Sequence, residues 1–137
     1  MLARGAGHMM ALVLVLTAAK CNPVSTTTDL NGSWGGEHIA LVITDTGSTI
    51  EYDCANGSIA GPIRPGDDSR FENIGVHVRG HGGPMREDEV PDAHPASYSG
   101  RVTGDRMTLT VRETDTGTEV GTFTLERGAA GRVLKCL

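Results

Sequence analysis

Chemistry in this chain would have to come from its histidines and carboxylates. His38, His77, His81 and His94 are spread over its middle, with acidic residues nearby. Imidazole can ligate a metal or move a proton near neutral pH. His77 and His81 are four apart, but their segment alternates like a strand. That spacing does not build a ligand pair there, and no second pair follows. No metal or cofactor is therefore expected. His38 follows Gly35 and Gly36, which permit close backbone approach, so it is expected to bond a core carbonyl or line a barrel mouth. Asp45 and Asp115 each head an Asp-Thr-Gly triplet, and two carboxylates sharing one proton can activate water. Ser, His and Asp all occur, but no G-x-S-x-G elbow joins a strand to a helix. No glycine-rich phosphate loop opens a helix either.

Asp45-Thr46-Gly47-Ser48 and Asp115-Thr116-Gly117-Thr118 resemble the catalytic loops of the aspartic proteases over four residues per copy. A pepsin-like enzyme needs more than twice this length, and no apolar-apolar-Gly partner motif follows. Each triplet links two alternating runs, so both are expected to be hairpin turns with Gly in the left-handed position.

The elements that must position these groups are strands. In 38–44, Ile39, Leu41 and Ile43 share a face, and in 48–54, Ile50, Tyr52 and Cys54 do. In 71–79, Ile74, Val76 and Val78 are expected inward, opposite Asn73, His77 and Arg79. Met107, Leu109 and Val111 form the inward set of 106–113, and Phe123 and Leu125 that of 120–127. Weaker strands are expected at 58–63, 96–103 and 132–137. Asn56-Gly57, Gly104-Asp105 and 128–131 supply turns. The stretch 80–95, rich in Gly, Pro and acids, exceeds ordinary connections and is expected to be functional or mobile. Seven to eight short strands predict an all-β antiparallel meander, a small barrel in preference to a sandwich.

The chain has 137 residues, which suits one domain, and its 12 Lys and Arg against 17 Asp and Glu give a charge of −5. That balance argues against nucleic acid phosphates or anionic lipid as partners. The aromatics fall in predicted strands, so they offer no stacking platform for single-stranded nucleic acid. Arg4 and His8 precede the apolar run 9–19, which is shorter than the roughly 20 residues of a spanning helix. It suits a secretory signal peptide at 1–19, cleaved after Ala19. Cys21 stands near the position of a lipoprotein's lipidated cysteine, but Lys20 occupies the small position and Ala18 the aliphatic one. A tether is expected at 20–31 and a single β domain at 32–137. In an oxidising compartment Cys54 and Cys136 are expected to pair. Closing so long a loop stabilises by about 4–5 kcal/mol at most in the chain-entropy picture.

Gly32-Ser33-Trp34 resembles the G-x-W of the calycin barrels, the lipocalins and avidins. The resemblance implies that Trp34 closes one barrel end beneath a basic residue from a late strand, Arg127 or Arg132. A broader set also resembles a family of small exported bacterial β proteins over residues 32–137. It comprises Trp34-Gly35-Gly36-x-His38, Glu51-Tyr52-Asp53-Cys54-Ala55, Gly82-Gly83-Pro84, Tyr98-x-Gly100, Met107-x-Leu109-x-Val111 and Gly121-x-Phe123-x-Leu125, ending at Cys136. That resemblance supports export and the disulfide, and it carries over no catalytic or binding residue. The expectation is a secreted or periplasmic, envelope-located barrel acting as a non-enzymatic binding or interaction module. Its partner would be an unidentified protein or small ligand, with membrane attachment only through a lipid on Cys21. Contacts are expected at Trp34, His38, His81, Arg86 and His94, where the 80–95 stretch meets 34–38. The alternatives are an inhibitor of an exported enzyme and a small hydrolase using loop histidines and carboxylates.

Overall fold

The alternating runs become eight strands: β1 Gly32–Gly36, β2 Ile39–Thr44, β3 Gly47–Tyr52, β4 Ala55–Ala60, β5 Arg70–Arg79, β6 Asp92–Thr103, β7 Arg106–Glu113 and β8 Glu119–Arg127. The computed structural model describes residues 28–137. The expected signal peptide, its cleavage site, Cys21 and most of the expected tether lie outside the described residues. Each strand pairs antiparallel with the next, and β1 pairs with β8, so the meander closes into a barrel without a sheet edge. No helix occurs among the described residues, and so none that is long and apolar enough to cross a membrane.

Inward residues of successive strands fill most of the interior: Ile39, Leu41, Ile50, Tyr98, Met107, Leu109 and Leu125 are all buried. Leu30, inside the stretch expected as a tether, is buried too, and its carbonyl accepts the Trp34 indole N–H at 2.9 Å. Packing therefore begins ahead of Gly32. The Arg127 guanidinium lies 4.5 Å from the Trp34 ring centroid and donates to the Asp29 and Asn31 carbonyls. Trp34 is thus sealed at one end of the barrel. Arg132 pairs instead with Glu37, at the other end.

Four local expectations need correction. First, β5 is turned over: Phe71 and His77 are buried, whereas Ile74 is 63% and Val76 is 38% exposed. The inward phase of β5 also contains Gly75, and a Cβ there would lie 2.9 Å from the Tyr98 ring. Ile74 and Val76 cannot take that face without displacing Tyr98. Second, Asn56-Gly57 is not a turn. It lies within β4, and the hairpin turn is Asp53-Cys54, with Cys54 at φ 53°. Gly57 is required because a side chain there would strike the Tyr98 hydroxyl. Third, 132–137 forms no strand. It makes one bridge, Glu37 to Arg132, and then crosses the barrel end. Closure comes from β1 and β8, while the Cys54–Cys136 disulfide pins that tail to the β3–β4 turn. Fourth, the irregular stretch ends at Pro91, because β6 begins at Asp92 and Pro95 pairs with Val76. The Pro95 carbonyl accepts the Thr114 N–H at 2.8 Å, on the side where the β7 ladder has ended. A missing proline N–H on that side costs no ladder bond.

The Asp-Thr-Gly triplets are turns at opposite ends of the barrel. Gly117 has φ 72° as expected, but Gly47 is strand residue one of β3, and the turn there is Asp45-Thr46. Asp45 and Asp115 therefore cannot share a proton.

Candidate functional site

The end opposite Trp34 carries the turns 37–38, 53–54, 80–91 and 114–118 and the tail 131–137. The inward phase of β7, Met107-Leu109-Val111, continues to Glu113, which is fully buried. The pairing of β5 and β7 on either side of β6 brings His77 and Arg79 of β5 to this carboxylate. Arg79 donates to it through Nε (2.9 Å) and Nη2, Thr116 Oγ1 donates at 2.7 Å, and His77 Nδ1 lies 2.9 Å from Oε1. Burial pushes the Glu113 carboxyl up, but the hydrogen bonds from Arg79, Thr116 and His77 outweigh it and hold the group at about 2. An ionised carboxylate only accepts, so His77 Nδ1 carries the proton.

That leaves His77 Nε2. It is buried and has no hydrogen-bond partner, and the same is true of the Tyr52 hydroxyl. The two rings meet edge to face with centroids 5.4 Å apart, and Phe123 lies 5.6 Å from Tyr52. Burial, with the Tyr98 hydroxyl nearby, raises the Tyr52 pKa well above its ordinary value, so Tyr52 keeps its proton. Both residues wall a cavity of about 450 Å³. His77, Glu113 and Tyr52 form its buried part, Ala55, Val120 and Phe123 its apolar sides, and His38, Asp53 and Glu119 its exposed margin. The volume falls in the range of small-molecule sites. The margin is fastened by several bonds. His38, at φ 64°, places Nδ1 2.5 Å from Asp53, and Asp53 also accepts the Leu134 N–H at 2.7 Å. Those two contacts, the Leu134 amide foremost, hold the Asp53 carboxyl below its usual range.

The residues expected from the sequence are dispersed. His38 lines the cavity. His94 lies just behind Glu113, half-buried, with Nδ1 2.8 Å from Asp115 and Nε2 2.9 Å from Asp92. These contacts, Asp115 first, raise its pKa. His94, Glu113 and Asp115 place ligand atoms within 4.8 Å of one another. However, both His94 nitrogens and both Glu113 oxygens are already engaged within the protein, so the cluster closes on itself. His81 and Arg86 gather around Glu89 in the exposed 80–91 loop and do not line the cavity. Trp34 is buried at the far end. Sequence reasoning passed over Tyr52, Arg79, Glu113 and Phe123 as site residues and turned His77 outward. The signal for Glu113 was present, because the period-two phase of β7 carries it inside.

A larger groove of about 590 Å³ lies on the flank over Phe71 and Gly100. Charged side chains such as Arg70, Glu72 and Arg101 line it, and none of the unpartnered buried polar atoms faces it. Comparison of the chain with known protein families, curated proteins and solved structures returns no match.

Proposed function

We propose that this protein is an exported, non-enzymatic binding barrel that takes a small molecule in the cavity beside His77 and Tyr52. One observation carries the reading: His77 and Tyr52, two buried polar side chains without a partner for Nε2 and the hydroxyl, line one cavity together with the apolar Ala55, Val120 and Phe123. Apolar walls with a few convergent polar groups are the usual form of a small-molecule site. Export is supported by the Cys54–Cys136 disulfide, which suits an oxidising compartment.

The test is a backbone amide NMR screen of the oxidised protein against single-ring aromatic compounds. Binding in the cavity shifts resonances of Tyr52, His77, Val120 and Phe123 while leaving Trp34 unmoved. Ala55→Leu, which narrows the cavity, abolishes those shifts in a protein that remains folded. The reading fails if no compound shifts these residues, or if binding maps to the 80–91 loop.

A further inference from the structure

Among the described residues, every histidine stands at the cavity end of the barrel with a carboxylate beside it. His38 and His77 each bring one ring nitrogen to hydrogen-bond distance of theirs, which a neutral imidazole satisfies. His81 and His94 differ, because both of their nitrogens meet oxygens that can only accept. His81 has Nδ1 2.9 Å from the Gly82 carbonyl and Nε2 against Glu89. His94 has Nδ1 2.8 Å from Asp115 and Nε2 2.9 Å from Asp92. A neutral ring carries one N–H and would turn a lone pair toward the second oxygen, so both arrangements belong to the imidazolium ion. The geometry points to a pH-operated latch: His81 and His94, as imidazolium ions, fasten the 80–91 loop and the 114–118 turn, and both segments loosen when the rings lose a proton. The latch does not depend on what the cavity binds.

These ties decide the matter because burial supplies little here. Every residue of 81–91 except Glu89 is exposed, and so are 114–118. His81 joins the two limbs of its loop through Glu89, whose other oxygen accepts the Arg86 N–H at 3.2 Å. The loop in turn reaches the tail, where the Gly83 N–H donates to the Leu137 carbonyl at 3.3 Å. His94 joins the start of β6 to the turn after β7, which places Thr118 on the cavity. The charges nearby favour the ion. Asp92, Glu113 and Asp115 surround His94, and Arg79 of β5, the cation beside them, is shared between Glu113 and Asp92. His77, opposite His94 in the β5–β6 register, has its proton on Glu113. Around His81 the charged partner is Glu89, which Arg86 approaches through its backbone amide. Both rings are held above 6.5, His81 by the Gly82 carbonyl and then Glu89, His94 chiefly by Asp115. A raised folded value means that the latch is complete below about 6.5 and is lost as pH rises through the folded value.

The test follows imidazole nitrogen shifts and amide exchange of the oxidised protein by NMR, from about pH 5 to about pH 9. Both nitrogens of His81 and of His94 should be protonated at about pH 6. The reporting amides are Arg86, which donates to Glu89, and Thr116, which donates to Asp115. Corrected for its intrinsic pH dependence, their exchange should quicken about two- to fivefold as the rings titrate, while β1 and β8 keep their rates. His81→Gln and His94→Gln should each raise exchange in its own segment at every pH and remove the step. Rings that titrate below 6.5, or exchange that stays flat through their titration, overturn the latch. A step that survives both substitutions overturns it as well. Equal quickening in β1 and β8 marks a loosening of the whole barrel and also overturns it.

Discussion

Glu113 shows how one side chain organises this end of the barrel. Its inward position follows from the strand period, but its stability follows from three donors: His77 and Arg79 from the far side of β6, and Thr116 from the turn after β7. Its carboxyl sits at about 2 when folded against an ordinary 4.5. A depressed folded value means that the contribution to stability is complete above about 4.5 and is lost as pH falls toward 2. Glu113→Gln should therefore lower stability near pH 7, by about 2 kcal/mol. It should also flatten the fall in stability between pH 4.5 and pH 2. Urea midpoints measured across that range check both effects, and an unchanged acid limb would contradict the assignment. His94 has the opposite sign. Its pKa is raised chiefly by Asp115, so its ion pairs contribute below its ordinary value and weaken as pH rises through the folded one.

At the scale of the element, β5 is the instructive strand. Its apolar residues Ile74, Val76 and Val78 alternate cleanly, and alternation normally marks the buried face. The structure buries the other phase, with Phe71 at one end, Gly75 under Tyr98 and His77 on Glu113. Alternation identifies two faces without saying which one turns inward. Partners on other strands decide that, and they were not legible within 71–79. Two substitutions separate the orientations. Ile74→Thr should change stability by no more than about 0.5 kcal/mol, as at an exposed site. Phe71→Ala should cost about 3–5 kcal/mol. Thermal or chemical unfolding of the two variants measures this, and a large loss at Ile74 would restore the original orientation. The strands β2, β3, β7 and β8 needed no such correction. Their larger apolar residues and their tight turns agree on one phase.

The whole molecule is a closed meander with two unlike ends. The Trp34 end is plugged by Leu30 and Arg127. The other end holds the cavity, and the tail crosses it, tied by Cys136 to Cys54 and by the Leu134 amide to Asp53. The disulfide is therefore a clamp on the tail, while the barrel is joined by β1 and β8. Replacing both Cys54 and Cys136 with Ser should cost about 2–4 kcal/mol. It should leave the strands formed, because no ladder bond depends on the bridge. Denaturation curves should record the first effect. Amide hydrogen exchange should show protection lost at 132–137 and retained in β1 and β8, and lost β1–β8 protection would show that closure needs the bridge.

Local physics determined much of this protein. Period-two alternation and short turns sufficed for an all-β meander, because each signal is contained within a few neighbouring residues, and the disulfide followed from cysteine chemistry in an oxidising compartment. Tertiary structure decided what depends on strand pairing and long-range packing: which face of β5 turns inward, where the tail runs, and which residues share the cavity. His77 and Glu113 are 36 residues apart, and only the pairing of β5 and β7 on either side of β6 makes them neighbours.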